Sequence, residues 1–143
     1  MTTLAANLKR TYEFNIDPLL NDLDVIAADI IFEGAAVGES SSTGTFRPLQ
    51  DGDVFAGFAV AKCDNTGGAA SAKTIRVRQR GVVKLPVGGT LSLADVGATV
   101  YATDDNTFSK TDSGSDTAIG KIVRFLTTTT AMVAFEATAV RSL

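Results

Sequence analysis

The chain has 143 residues, a net charge of −3, no histidine, no tryptophan and a single cysteine. That length suits one domain with a sizeable core, and one cysteine cannot close an intramolecular disulfide, so burial and strand pairing must supply the stability. Without histidine, no side chain titrates near neutrality unperturbed, and the usual zinc and triad arrangements lose their commonest member.

Residues 1–24 are polar, with Tyr12, Phe14, Leu19, Leu20 and Leu23 as isolated apolar points, and predict an extended N-terminal arm. Asp17 as cap and Pro18 in a first turn allow a short helix over Pro18–Asp24. The segment after Lys9 and Arg10 lacks the apolar run of a signal peptide, so export by that route is not expected. The longest apolar runs fall far short of the ~20 residues that span a bilayer, so no membrane partner is expected either.

A body over residues 25–143 follows. Val25–Val37 predicts a first strand, with Ile26, Ala28, Ile30 and Phe32 on one face and Asp29 and Glu33 on the other. The residues from Gly38 to Gly44 form a loop by composition, and Asp51-Gly52-Asp53 is a turn signal. Val54–Ala61 predicts a strand covered on both sides, with Phe55 and Phe58 on opposite faces of it and Gly57 between them. After a Cys63–Ala72 loop, Thr74–Leu85 predicts one regular strand in which Arg76, Arg78 and Arg80 share a face and Gly81 permits a bend.

Ala98–Ala102 and Phe108 flank the turn Thr103–Thr107 as a hairpin, and Ala118–Leu126 and Ala131–Ala137 close the body. Seven or eight short strands predict an all-β fold, a small β-barrel or β-sandwich.

Charge is unevenly spread: residues 1–72 carry four basic and ten acidic residues, residues 73–143 nine basic and six acidic. The halves are opposite in sign, which favours contact between the N-terminal half of one subunit and the C-terminal half of another, unless the charges are simply solvated. Three arginines on one strand face repel one another unless acids lie opposite, either on a neighbouring strand or on a second protein. A net negative chain is not expected to bind nucleic acid.

Candidate chemistry is sparse. Asp104, Asp105, Asn106, Asp112 and Asp116 offer hard oxygen ligands but fit no EF-hand spacing and read as turn chemistry, so no metal site is expected. The carboxylate pairs Asp51/Asp53 and Asp104/Asp105 sit in polar turns without a tryptophan platform for a sugar. Cys63 has no histidine to activate it, and Gly88-Gly89 lacks the helix and lysine of a phosphate loop. No catalytic residues, no cofactor and no enzymatic activity are therefore expected.

The stretches Asp51-Gly52-Asp53-Val54-Phe55-Ala56-Gly57-Phe58-Ala59 and Gly81-Val82-Val83-Lys84-Leu85-Pro86 carry a resemblance. So do Gly97-Ala98-Thr99-Val100-Tyr101, Thr107-Phe108-Ser109 and Ala118-Ile119-Gly120-Lys121-Ile122-Val123. Across about two thirds of the chain, their order resembles that of the small decoration or cement proteins of tailed-bacteriophage heads, β-domain proteins formerly labelled recombinase-like. The resemblance implies a virion protein on the outer surface of the capsid, synthesised in the host cytoplasm. Such a protein binds the major capsid protein, stabilises its lattice and forms a homo-oligomer, usually a trimer and sometimes a dimer. The longer N-terminal region and the three arginines depart from the shorter members of that family. Tyr12, Phe14, Leu19, Leu20, Arg76, Arg78 and Arg80 are accordingly the candidate partner-binding residues, with the arm expected to cross to a neighbouring protein as an added strand. A carbohydrate- or receptor-binding module of a virion is the alternative reading.

Overall fold

A computed structural model describes residues 3–13, 20–40 and 43–138. Among these, twelve strands form three antiparallel sheets, and one turn of 3-10 helix lies at Leu93–Asp95. The protein is all-β, as expected.

The first sheet contains β1 (Leu20–Asp24), β3 (Ala36–Glu39), β4 (Phe46–Pro48), β5 (Val54–Ala59) and β7 (Thr74–Arg78), in the order β1-β7-β5-β3-β4. The second contains β8 (Arg80–Pro86), β9 (Thr99–Ala102), β10 (Phe108–Ser109), β11 (Thr117–Thr127) and β12 (Thr130–Glu136), in the order β10-β9-β11-β12-β8. A two-stranded pair joins β2 (Ile30–Ile31) to β6 (Cys63–Asp64).

Two cores result. The larger lies between the two five-stranded sheets and contains Phe55, Phe58, Leu85, Val100, Phe108, Ile119, Ile122, Val133 and Phe135. The smaller lies on the opposite face of the first sheet, where Ile31 and Cys63 of the two-stranded pair meet Val37, Ala56, Ala59, Ile75 and Val77. The first sheet is therefore covered on both faces, and its strands are correspondingly apolar in successive positions: all of β5 after Val54 is buried.

The sequence pattern placed Phe55 and Phe58 on opposite faces of β5, and the structure reverses this. Register slips between the pairs Val37–Gly57 and Gly38–Phe55, so two residues of β5 face one of β3. This bulge turns both rings into the larger core, where their centroids are 5.6 Å apart and Phe135 lies 4.9 Å from Phe58 in an edge-to-face contact. Gly57 makes it possible, since its φ is +126° and a Cβ there would stand 2.4 Å from the Arg78 carbonyl oxygen.

Thr74–Leu85 is likewise not one strand. The chain leaves the first sheet at Arg78 and enters the second at Arg80, with buried Gln79 between them. Its backbone carbonyl accepts from Ala137 N (2.7 Å), which ties the crossing point to the end of β12. The expected first strand over Val25–Val37 also breaks. Ala28 has a positive φ of 55°, and a turn at Gly34 separates β2 from β3. Ile26 and Ala28 thus fall outside the strands that hold Ile30 and Ala36.

The Thr103–Thr107 hairpin and the two closing strands form where expected, β10 on β9 and β12 on β11. The helix expected over Pro18–Asp24 does not form in its described part. Leu20–Asp24 is a strand, antiparallel to Thr74–Arg78; edge pairing outweighs a local cap signal because five residues gain ladder bonds at once.

Gly57→Ala is expected to lower stability by about 2–4 kcal/mol, combining a strained φ with a backbone collision. Chemical denaturation checks it, and a loss below about 1 kcal/mol would mean that the bulge relaxes freely.

Candidate interaction surface

The N-terminal arm is extended, and its described residues lie along the chain's own body. Thr11 O accepts from Lys84 N (2.9 Å) and Glu13 N donates to Val82 O (2.9 Å), so residues 11–13 add a short antiparallel partner to the free edge of β8. Leu8 N donates to Glu33 O (2.8 Å). Leu4 is buried in the smaller core and Tyr12 packs on the larger one. One segment of eleven residues, 3–13, thus reaches both cores.

Its anchor is Arg10, which sequence reading saw only as a charge. The guanidinium carbon lies 5.1 Å from the Phe58 ring centroid and 5.3 Å from that of Phe108. Nε donates to Gly34 O at 2.6 Å and an Nη to Asn106 Oδ1 at 2.9 Å. Burial pushes the Arg10 pKa down to about 10, against the opposing pull of Tyr12 and Asp105. Nearby, Asp105 is fully buried and its Oδ1 accepts from Thr3 N (2.9 Å) and Thr3 Oγ1 (2.5 Å). Gly34, with φ +86°, lets the arm pass, because a Cβ there would lie 2.0 Å from Leu8 O.

The candidate partner-binding residues divide. Tyr12 is half-buried, 6.2 Å edge-to-face from Phe135, and its phenol is pushed up by burial, with Arg78 acting in the other direction. Leu20 is 47% exposed on edge strand β1. Phe14 and Leu19 lie outside the described residues.

The three arginines do not form a comb. Arg76 pairs with Asp22, its register partner across β1–β7, at 2.9 Å and 3.2 Å. The acid opposite is thus on a neighbouring strand, and so exposed a pair contributes little to stability. Arg78 stacks on Tyr12, with its guanidinium carbon 4.2 Å from the ring centroid. Arg80 is exposed in the other sheet. The crossing at Gln79 separates what a single strand would have aligned.

The acidic positions act in turns. Asp104 Oδ1 accepts from Asn106 N (2.9 Å), Asp112 Oδ1 from Gly114 N (2.8 Å), and Asp116 Oδ2 from Ser113 N (3.0 Å). Asp53 accepts two hydrogen bonds from Arg47 (3.0 and 2.8 Å) and one from Gln50 N, so its carboxylate is engaged on three sides rather than paired with Asp51. Cys63 is buried and its thiol is pushed up by that burial, the opposite of activation. Among the described residues no group of three or more Cys, Asp or Glu is placed to hold a metal ion.

A second surface emerged only in the structure. On the outer face of the second sheet a broad groove of ≈ 670 Å³ runs over Tyr101, Ala118, Val123 and Ala134, flanked by Lys121 and Glu136. β11 slips register between Ala118 and Gly120 against β9, and between Ile122 and Arg124 and between Phe125 and Thr127 against β12; the first two slips lie along the groove. The extra residues against β12, Val123 and Leu126, are left 46% and 37% exposed. Gly97 N donates to Ile122 O (2.8 Å) and Leu91 N to Thr128 O (2.8 Å), which brings the 3-10 turn with exposed Leu93 and Val96 alongside. Strand alternation alone does not reveal such positions, since a bulge breaks the alternation.

The chain matches no protein-family model and no curated protein. Among the described residues, no helix is long and apolar enough to cross a membrane.

Deleting residues 3–13 should expose Phe58, Phe108 and Phe135, and is expected to cost the cooperative thermal transition rather than leave a folded body; Tyr12→Ala alone should cost about 2–3 kcal/mol. Circular dichroism melting checks both, and a truncated chain melting like the full one would show that the arm does not hold the body together. Acid should also destabilise the fold. Asp64, Asp95 and Asp116 are held below the usual carboxylate range by hydrogen bonds from Thr66, Ser92 and Ser113 respectively. A carboxyl depressed on folding stabilises above its unfolded value and loses that contribution as pH falls through the folded one. The melting midpoint is therefore expected to hold from roughly pH 5 to 8 and to drop below about pH 4.

Proposed function

We propose that this chain is a non-catalytic virion structural protein, a capsid decoration protein that binds the outer surface of a phage head and stabilises the lattice of major capsid proteins. The observation that supports it most is the apolar outer face of the second sheet. Val123 stands exposed in a broad groove with Tyr101, Ala118 and Ala134, and Leu93, Val96 and Leu126 are further exposed apolar side chains on β11 and the 3-10 turn bonded beside it. A chain otherwise covered on both faces of its first sheet gains nothing for its own stability from leaving these side chains in water; grouped apolar exposure of this kind marks a protein-binding surface. The resemblance of the strand and turn stretches to head decoration proteins supplies the class of partner.

The physical logic agrees. A specific contact buries ~1,200–2,000 Å² in total, and repetition over a shell converts a modest contact into firm attachment through avidity. The opposite charge of the two halves favours self-association, with a trimer proposed first and a dimer second. Sedimentation equilibrium of the purified protein distinguishes these.

The direct test is co-sedimentation with capsids stripped of this protein. Wild type should be retained, and Val123→Asp should weaken retention by at least about tenfold while leaving the melting midpoint in place, because it puts a charge on an already exposed position. Undiminished retention of the variant would move the capsid contact elsewhere. Retention of neither, with a positive glycan array or cell-binding assay, would replace the capsid reading by the carbohydrate- or receptor-binding one.

A further inference from the structure

Alternation along the second sheet sorts its side chains onto two faces. Val83 and Leu85 of β8 and Ala131, Val133 and Phe135 of β12 enter the larger core. Their neighbours Val82 and Met132 point outward, yet they are only 5% and 4% exposed and belong to neither core. The register shows what crosses over them. Arg124 of β11 stands opposite Met132, and Glu13 of the arm is bonded through its N to Val82 O. Arg124 donates to Glu13, so an ion pair runs from β11 to the arm across β12 and β8. The chain thus already places one carboxylate against a cation of this outer face.

The remaining charges of the face do not balance. Glu136 stands opposite Arg80 in the β12–β8 register, as Glu13 answers Arg124. Lys121 and Lys84 are both exposed, and among the described residues neither is in an ion pair. Lys121 lines the groove with Val123, while Lys84 shares the row of Met132 and Arg124. The groove itself is deepened by a glycine. A Cβ at Gly120 would stand 2.0 Å from Ala134 O, and with Ala118 and Ala134 beside it the space between Tyr101 and Val123 stays open.

We propose that the partner segment docking on this face is acidic: one bulky apolar side chain seats over Gly120 and Ala134, and flanking aspartates or glutamates pair with Lys121 and Lys84. Shape supplies the first half of the argument, since a depression floored by small residues fits an inserted side chain better than a flat surface. Charge supplies the second. An ammonium group at the rim of an apolar contact loses hydration when the contact forms, and a carboxylate from the partner replaces what is lost, whereas a basic partner adds repulsion. The inference rests on the capsid reading for the identity of the partner and adds the chemistry of the segment it presents.

The test uses the full chain with ¹³C-labelled alanine and valine methyls and follows Ala118, Val123 and Ala134 at low, constant ionic strength. The probe is a capped Gly-Asp-Phe-Asp-Gly peptide, and the comparisons are Gly-Lys-Phe-Lys-Gly and Gly-Asp-Gly-Asp-Gly. The Asp-Phe-Asp peptide should shift these resonances saturably with a Kd in about the millimolar range, and each comparison should bind about fivefold more weakly or worse. Lys84→Glu combined with Lys121→Glu changes exposed positions only and leaves all three methyl probes in place; it should invert the order of the two phenylalanine peptides. No saturable shift in the wild type, either comparison binding as well as the Asp-Phe-Asp peptide, or an order unchanged in the double variant would each overturn the assignment. The two readings fail separately. Capsid retention lost in Val123→Asp but kept in full by the double variant would preserve the capsid contact and remove its acidic partner. No retention of the wild type would remove the capsid contact, and the peptide titration would still decide the chemistry of the face.

Discussion

The placement of Arg10 is the constraint on which the described structure depends. A guanidinium packed against Phe58 and Phe108 is a cation at the edge of an apolar core, and its pKa, pushed down to about 10, reflects the cost of desolvation. That cost is offset by two ring faces, the Gly34 carbonyl, the Asn106 amide and the nearby charge of Asp105. The partners come from three separate stretches of chain: β5, the turn before β3, and the β9–β10 hairpin. Satisfying one cation therefore fixes the relative positions of both large sheets and of the arm that carries it. A hydrophobic residue in its place would fill volume but set no such geometry.

The second constraint is the bulge at Gly57. A sheet covered on both faces needs large side chains on one side and small ones on the other wherever its neighbours approach unequally. By slipping one residue, β5 sends Phe55 and Phe58 together into the larger core and Ala56 and Ala59 into the smaller one. Phe135, from the other sheet, then meets both rings, at 6.3 Å and 4.9 Å, which interlocks the layers through edge-to-face contacts. The same device recurs in β11 with the opposite result, where bulged Val123 and Leu126 are turned outward.

What the sequence reveals follows from these devices. Fold class, the β9–β10 hairpin and the closing strands were legible because alternation and turn residues agree locally. Pairings set by distant residues were not. The Thr74–Leu85 pattern is regular across Gln79, and nothing in it shows that the chain changes sheets there. Leu20–Asp24 carries a plausible helix start just before it and becomes a strand because β7 offers a free edge. Arg10 sits in a polar stretch and shows its role only once Phe58 and Phe108 are brought to it. Of the candidate contact residues, Tyr12 and Arg78 do meet, but on each other, and the exposed groove over Tyr101 and Val123 has no periodic signature at all.

The docked arm changes the energetics of binding. An arm that orders only on contact with a neighbour spends part of its interaction energy on that ordering. Residues 3–13 here are already held, by Leu4 and Tyr12 in two cores and by backbone pairing to Lys84 and Val82. The surface they create with Arg78 is therefore preformed, as is the bulged face of the second sheet on the far side of the larger core. A preformed surface of this kind docks without first folding, so less of its contact energy goes into ordering the chain. The same rigidity explains why the open apolar positions do not collapse inward: the strands that bear them are fixed by buried neighbours, Ile122 and Val133 among them, so Val123 and Leu126 have no inward state to adopt.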